Sequence, residues 1–177
     1  MSSTGTAGDD FSVLAAISGD GRFVAFWSLA STLVPGDTNG TTDVFVHDRQ
    51  AGTTERVSVD SRERQSSGGD QGGTFDTNFG RPAISPDGRF VAFTSDADNL
   101  VVGDGNFDTD IFVRDRQTQT TVRSSMRSDG TETGFELGSL NASLSADGQV
   151  VAFESEGALV AEDDGFPVDV FVHDEQS

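Results

Sequence analysis

The chain repeats itself three times, and an internal repeat of this length restricts the fold more than any compositional property. The segment Ser18-Gly-Asp-Gly-Arg-Phe-Val-Ala-Phe-Trp-Ser28 returns as Ser85-Pro-Asp-Gly-Arg-Phe-Val-Ala-Phe-Thr-Ser95 and as Ser145-Ala-Asp-Gly-Gln-Val-Val-Ala-Phe-Glu-Ser155. A second block, Asp43-Val-Phe-Val-His-Asp48, returns as Asp110-Ile-Phe-Val-Arg-Asp115 and Asp169-Val-Phe-Val-His-Asp174. The spacing between the two blocks is 23 residues in the first copy (Asp20 to Asp43) and the second (Asp87 to Asp110), and 22 in the third (Asp147 to Asp169).

Each copy reads as short strands. Phe90-Val-Ala-Phe93 is an apolar run behind Pro86-Asp-Gly88, and an Asp-Gly pair supplies the positive φ angles of a tight hairpin turn. Pro82 to Ser85 and Arg89 to Ser95 are therefore expected to pair antiparallel. Asp110 to Asp115 is expected as a third strand and Thr120 to Met126 as a fourth. No segment holds a 3.6-residue apolar period long enough for a helix. Four strands per copy is the make-up of one propeller blade. The expected fold is an all-β propeller segment, with blades at about 11–66, 75–130 and, incomplete, 135–177. Phenylalanines at matching places, such as Phe26, Phe93 and Phe153 or Phe45, Phe112 and Phe171, are expected to pack between blades.

These two blocks, recurring together, resemble the TolB-type bacterial propeller repeat, a relative of the WD-type blades. The resemblance implies the fold and an exported, extracytoplasmic setting. It leaves function open, because such propellers include binding proteins, domains attached to peptidases and polysaccharide lyases.

The third copy reaches Gln176-Ser177 just after its third strand, where the second copy continues into a fourth. Superposing copies sets Met1 opposite Ser128, past that fourth strand, so Met1 to Ala7 is not expected to supply it. Propellers close with about 4 to 8 blades, so three leave apolar side faces open, which repeat arrays normally cap. The expected solution is a head-to-tail homodimer completing a six-bladed ring. The alternative is a portion of a longer propeller.

A net charge of −19 comes from 30 acidic and 11 basic residues, and every basic residue is Arg. Such a surface repels nucleic acid and anionic lipid, which need clustered basic groups. Without cysteine there is no disulfide, thiolate nucleophile or Cys-ligated zinc. The first ten residues have neither a basic start nor an apolar stretch, so no signal peptide is read here, and no run reaches the roughly 20 apolar residues of a membrane helix.

Between the second and third strands every copy carries an acidic loop. Asp37, Asn39 and Asp43 stand in the first, Asp104, Asn106, Asp108 and Asp110 in the second, and Asp163, Asp164 and Asp169 in the third. Hard cations such as Ca²⁺ take six to eight oxygens, which short loops with alternating side-chain oxygens and a glycine bend can supply. These ten residues are the calcium candidates. The competing reading is turn chemistry alone, since Asp and Asn bond their own backbone and cap strand entries.

Catalysis has little footing. His47 and His173 occupy one repeat position that holds Arg114 in the second copy, a pattern expected of a partly exposed strand face. No Gly-x-Ser-x-Gly elbow, His-Glu-x-x-His helix or phosphate loop occurs. The expectation is a non-enzymatic binding or assembly module offering channel-mouth loops to a protein or glycan, with inner-strand segments such as Asp76 to Pro82 lining the channel. A fragment or accessory domain of a propeller hydrolase or lyase acting on polysaccharide or peptide is the alternative.

Overall fold

The computed structural model describes residues 1–67, 80–132, 138–161, 163 and 168–175. Among them are three antiparallel sheets and no helix. The first sheet runs β1 (Ser12–Ile17), β2 (Phe23–Ser28), β3 (Asp43–Asp48) and β4 (Thr53–Arg56). The second runs β5 (Ala83–Ile84), β6 (Phe90–Ser95), β7 (Asp110–Asp115) and β8 (Thr120–Arg123). The third holds β9 (Ser139–Leu144), β10 (Val150–Ser155) and β11 (Asp169–Asp174). In every sheet neighbouring strands pair in sequence order, an up-and-down meander.

Register repeats as faithfully as sequence. Phe26 lies opposite Phe45, Phe93 opposite Phe112 and Phe153 opposite Phe171. Their ring centroids are 5.9, 5.9 and 6.2 Å apart, within the range of favourable aromatic pairs. All of β6 is buried, which explains why Phe-Val-Ala-Phe lacks a polar alternation: its sheet is covered on both sides.

The cores lie between sheets. Val44 and Val46 of the first sheet pack with Phe93 and Phe112 of the second. Ile111 and Val113 of the second pack with Val151 and Phe153 of the third. Alternate residues of one strand therefore serve two different junctions, a direct result of the two-residue strand period.

The hairpin turn differs from the Asp-Gly geometry expected from sequence. Only Gly21, Gly88 and Gly148 take positive φ (73°, 75° and 70°). The aspartate serves instead as an acceptor: Asp20 takes bonds from Ser18 Oγ at 2.7 Å and from the Arg22 N–H at 2.9 Å, and Asp87 and Asp147 repeat both. The loop is longer than two residues, so one left-handed glycine suffices.

The N-terminal residues lie against the first sheet, not the third, and differ from expectation only in register. Met1 and Ser3 touch the first sheet's outer strand through side-chain hydrogen bonds and pair with no strand among the described residues: Ser3 Oγ accepts from the Thr54 N–H at 2.8 Å, and the Met1 carbonyl accepts from Thr54 Oγ at 2.5 Å. The linker after the first sheet does the same to the second, where Ser61 Oγ accepts from the Thr121 N–H at 2.9 Å and the Val59 carbonyl from Thr121 Oγ at 2.6 Å. Met1 is thus equivalent to Val59 and Met126, two residues away from the sequence superposition. Of the inner segment Asp76 to Pro82, residues 76–79 lie outside the described residues; β5 follows directly on Pro82.

Candidate functional site

The acidic loops close on arginine. In the first, Asp37 and Asp43 both lie 3.1 Å from the Arg56 guanidinium, Ser58 donates to Asp43 at 2.5 Å, and the Asn39 amide donates to Asp43 at 3.0 Å. In the second, Arg123 meets Asp104 at 2.8 Å, Asp110 at 3.3 Å and Glu132 at 2.9 Å, while Ser125 donates to Asp110 at 2.5 Å. Asn106 is buried in the same loop. Each arginine comes from the fourth strand, so it fastens the loop to the outer edge of its sheet.

Burial sets the protonation of these groups. Desolvation pushes the Asp104 carboxyl up to about 6, against the pull of Arg123, and moves Asp110 in the same direction. Asp37 is raised by burial and then by neighbouring Asp43. Three carboxylates share the single Arg123 in the second loop, one more than share Arg56 in the first, where Gln65 stands at the Glu132 position. Both side chains also pin the loop backbone, Gln65 accepting from the Thr38 N–H at 3.2 Å and Glu132 from the Gly105 N–H at 2.8 Å.

In the first two loops an arginine occupies the carboxylates put forward for calcium. The guanidinium already stands at salt-bridge distance from the carboxylates a cation would need, and no group of three or more acidic or histidine side chains suited to a metal occurs among the described residues. Asp108 accepts from the Thr109 N–H at 2.8 Å. In the third loop the Asp163 N–H bonds the Val160 carbonyl at 3.2 Å, Asp164 lies outside the described residues, and Asp169 is exposed. The clamping arginines went unnoticed in sequence, although each follows its aspartate by 13 residues (43 to 56, 110 to 123).

The His/Arg position is half-buried at His47 and His173, as expected of a partly exposed strand face, and buried at Arg114. Arg114 is 3% exposed; it donates to Thr121 Oγ at 3.1 Å and to the Asp60 carbonyl at 3.2 Å, and pairs with Glu63. His47 Nδ1 meets Thr54 Oγ at 2.9 Å, and burial lowers its pKa. Both side chains bond the fourth strand and Arg114 also bonds the crossing linker, a structural use of the position.

Two surfaces remain open. On the first sheet, Leu14, Val24, Phe26 and His47 border a hollow of about 510 Å³. On the third, Val170 and Val172 are 72% and 69% exposed. Their counterparts Val44 and Val46, and Ile111 and Val113, are all buried against a following sheet.

No protein-family model matches the chain, and no curated protein does. Solved structures do. A putative TolB from Agrobacterium tumefaciens superposes over 93% of this chain and 46% of its own, with a TM-score of 0.52 at 18% identity. The β-propeller domain of the Trilobed protease from Pyrococcus furiosus, described as having an open velcro topology, covers 97% of this chain and 42% of its own at TM-score 0.50 and 12% identity. This is a TolB-like β-propeller fold. An oligogalacturonate lyase from Vibrio parahaemolyticus also matches, at TM-score 0.49. The chain spans less than half the length of each of these propellers. Its sheets are blades, and the two open surfaces are the incoming face of the first blade and the outgoing face of the third.

Proposed function

We propose that the chain is a non-catalytic assembly and binding module, in which a second copy covers the open faces head to tail and a six-bladed ring results. The observation carrying this reading is the exposure of Val170 and Val172 at positions that both internal junctions bury. A fold that hides these residues twice and bares them once has an unfilled junction, and the incoming face of blade one is the surface shaped by repetition to fill it.

The turn glycines add a steric argument. Phe23 rests on the Gly88 turn of the next blade and Phe90 on the Gly148 turn. Gly21 carries no such ring from within the chain. At the matching place the third blade offers the smaller Val150, so the ring-closing junction is drawn with a lighter wedge than the internal ones. The closed ring would offer its channel-mouth loops to a protein or glycan, and its acidity favours basic partners. Export from the cytoplasm belongs to the same reading, supported by the likeness of the repeat blocks.

Light scattering on the purified chain tests the assembly. About twice 18.6 kDa supports it; a monodisperse monomer at all concentrations overturns it. A monomer would favour a second reading, suggested by the span of under half of the matched propellers: blades from a longer ring, with any hydrolase or lyase chemistry supplied elsewhere.

A further inference from the structure

Among the described residues three arginines lie on phenylalanine rings, and each is also tied to a carboxylate. Arg22 stands over Phe23, its guanidinium carbon 4.7 Å from the ring centroid, and pairs with Asp48. Arg89 stands over Phe90 at 4.6 Å and pairs with Asp115. Arg116 reaches the Phe23 ring from the second blade, also at 4.6 Å, and pairs with Glu55. The negative face of the ring attracts the guanidinium, and the carboxylate fixes its orientation there.

Phe107 has no such cover. It lies in the loop between β6 and β7 and is 73% exposed. Its backbone is left-handed, at φ 56°, where the counterpart in the first copy is Gly40 at 69°. A side chain is strained on such a backbone, and a ring left in water adds no burial to the fold. Neither conformation nor packing therefore asks for phenylalanine at this position. The loop that carries it is firmly held: Asp104 and Asp110, before and after Phe107, share Arg123, Glu132 accepts from the Gly105 N–H at 2.8 Å, and Asn106 accepts from the Asp108 N–H at 3.3 Å. A ring displayed from a fixed loop has little freedom to lose on binding. The carboxylates of Asp104, Asp108, Asp110 and Glu132 stand in or against this loop with Arg123 as their shared cation, so its field is negative.

We infer that Phe107 is a recognition site for an arginine of a basic partner polypeptide, which stacks its guanidinium on the ring and is held by the carboxylates of the same loop. The contact repeats between two chains what Arg22, Arg89 and Arg116 make within one. It rests on the reading that loops of this end receive a polypeptide, and not on ring closure, because the loop belongs wholly to the second blade.

The test is fluorescence anisotropy of the intact chain with a labelled peptide Gly-Arg-Ser-Gly-Arg-Ser-Gly-Arg, in about 0.15 M salt to screen distant charge. Phe107→Gly is the deciding variant, since Gly40 serves on the same backbone in the first blade. It is expected to weaken the peptide about 2- to 5-fold, the scale of one exposed cation–π contact. It is also expected to raise the urea midpoint, as relief of left-handed strain outweighs the extra freedom of an unfolded glycine. Val102→Ala, which trims a fully exposed side chain of the same loop, should leave binding unchanged. A lower midpoint in Phe107→Gly would make the ring a packing residue, and equal weakening by Val102→Ala would make the patch a general apolar contact. Binding of a citrulline-for-arginine peptide or of maltohexaose that depends on Phe107 would make the ring a platform for uncharged ligands. Each of these overturns the inference. Arginine-peptide binding that Phe107→Gly leaves intact overturns it while the wider reading of these loops stands, and no binding at all overturns both.

Discussion

The ring of Phe23 lies on Gly88 of the next blade so closely that a Cβ there would fall 2.1 Å from a ring carbon. Gly88 also holds φ at +75°. The residue is therefore glycine for two independent reasons, one of conformation and one of space, and both act at the junction between blades.

Gly88→Ala is expected to cost more than about 3 kcal/mol, because overpacking adds to the strain of a left-handed alanine. Gly36 has φ +78° and nothing within 4 Å, so Gly36→Ala should cost only the conformational share, roughly 1–2 kcal/mol. Paired urea titrations separate the two; equal costs would mean that the ring moves aside freely.

Arg123→Ala leaves Asp104 and Asp110 buried without their cation. Losing one partner of a buried ion pair typically costs about 3–5 kcal/mol, so chemical unfolding should show a fall of that size. Arg123 is 7% exposed and its side chain meets three carboxylates, which makes this the costliest arginine to remove among those described.

Stability should depend on pH in two opposite steps. Asp104 titrates at about 6 in the folded chain against 3.8 as a free group, so folding takes up this proton and stability rises as pH falls from 6 toward 4. Arg22 and Arg89 hold Asp48 and Asp115 well below the usual carboxylate range, so the stability those pairs supply is present above 3.8 and lost as pH falls further. Thermal scans should peak at roughly pH 4–5. In Asp104→Asn the gain between pH 6 and 4 should shrink; an unchanged profile would show that Asp104 titrates normally.

Calcium should leave the melting temperature where an ionic-strength-matched magnesium control leaves it. A bound ion stabilises by mass action, and the arginine clamps leave the first two loops no such ion to hold. A saturable, calcium-specific rise would contradict the clamp reading.

Val170→Asp combined with Val172→Asp should weaken the head-to-tail dimer by at least about 30-fold, the scale of an interface hot spot. The melting temperature of the separated chain should barely change, since both side chains are exposed there. Sedimentation velocity across a concentration series reads the first quantity and calorimetry on dilute protein the second.

The sequence by itself determined the blade. Strand order and the Phe26–Phe45 style pairs follow from apolar residues at a two-residue period, punctuated by glycine turns, and both signals are local. What Arg56 and Arg123 do was decided only by tertiary structure. Each lies 13 residues beyond the aspartate it meets, and only antiparallel pairing of the third and fourth strands brings Arg56 to Asp37 and Asp43, setting a guanidinium among the carboxylates of a plausible cation loop. The hook of Ser61 on Thr121 is likewise invisible until two blades stand side by side, because it depends on the angle between neighbouring sheets and not on any pattern within one of them.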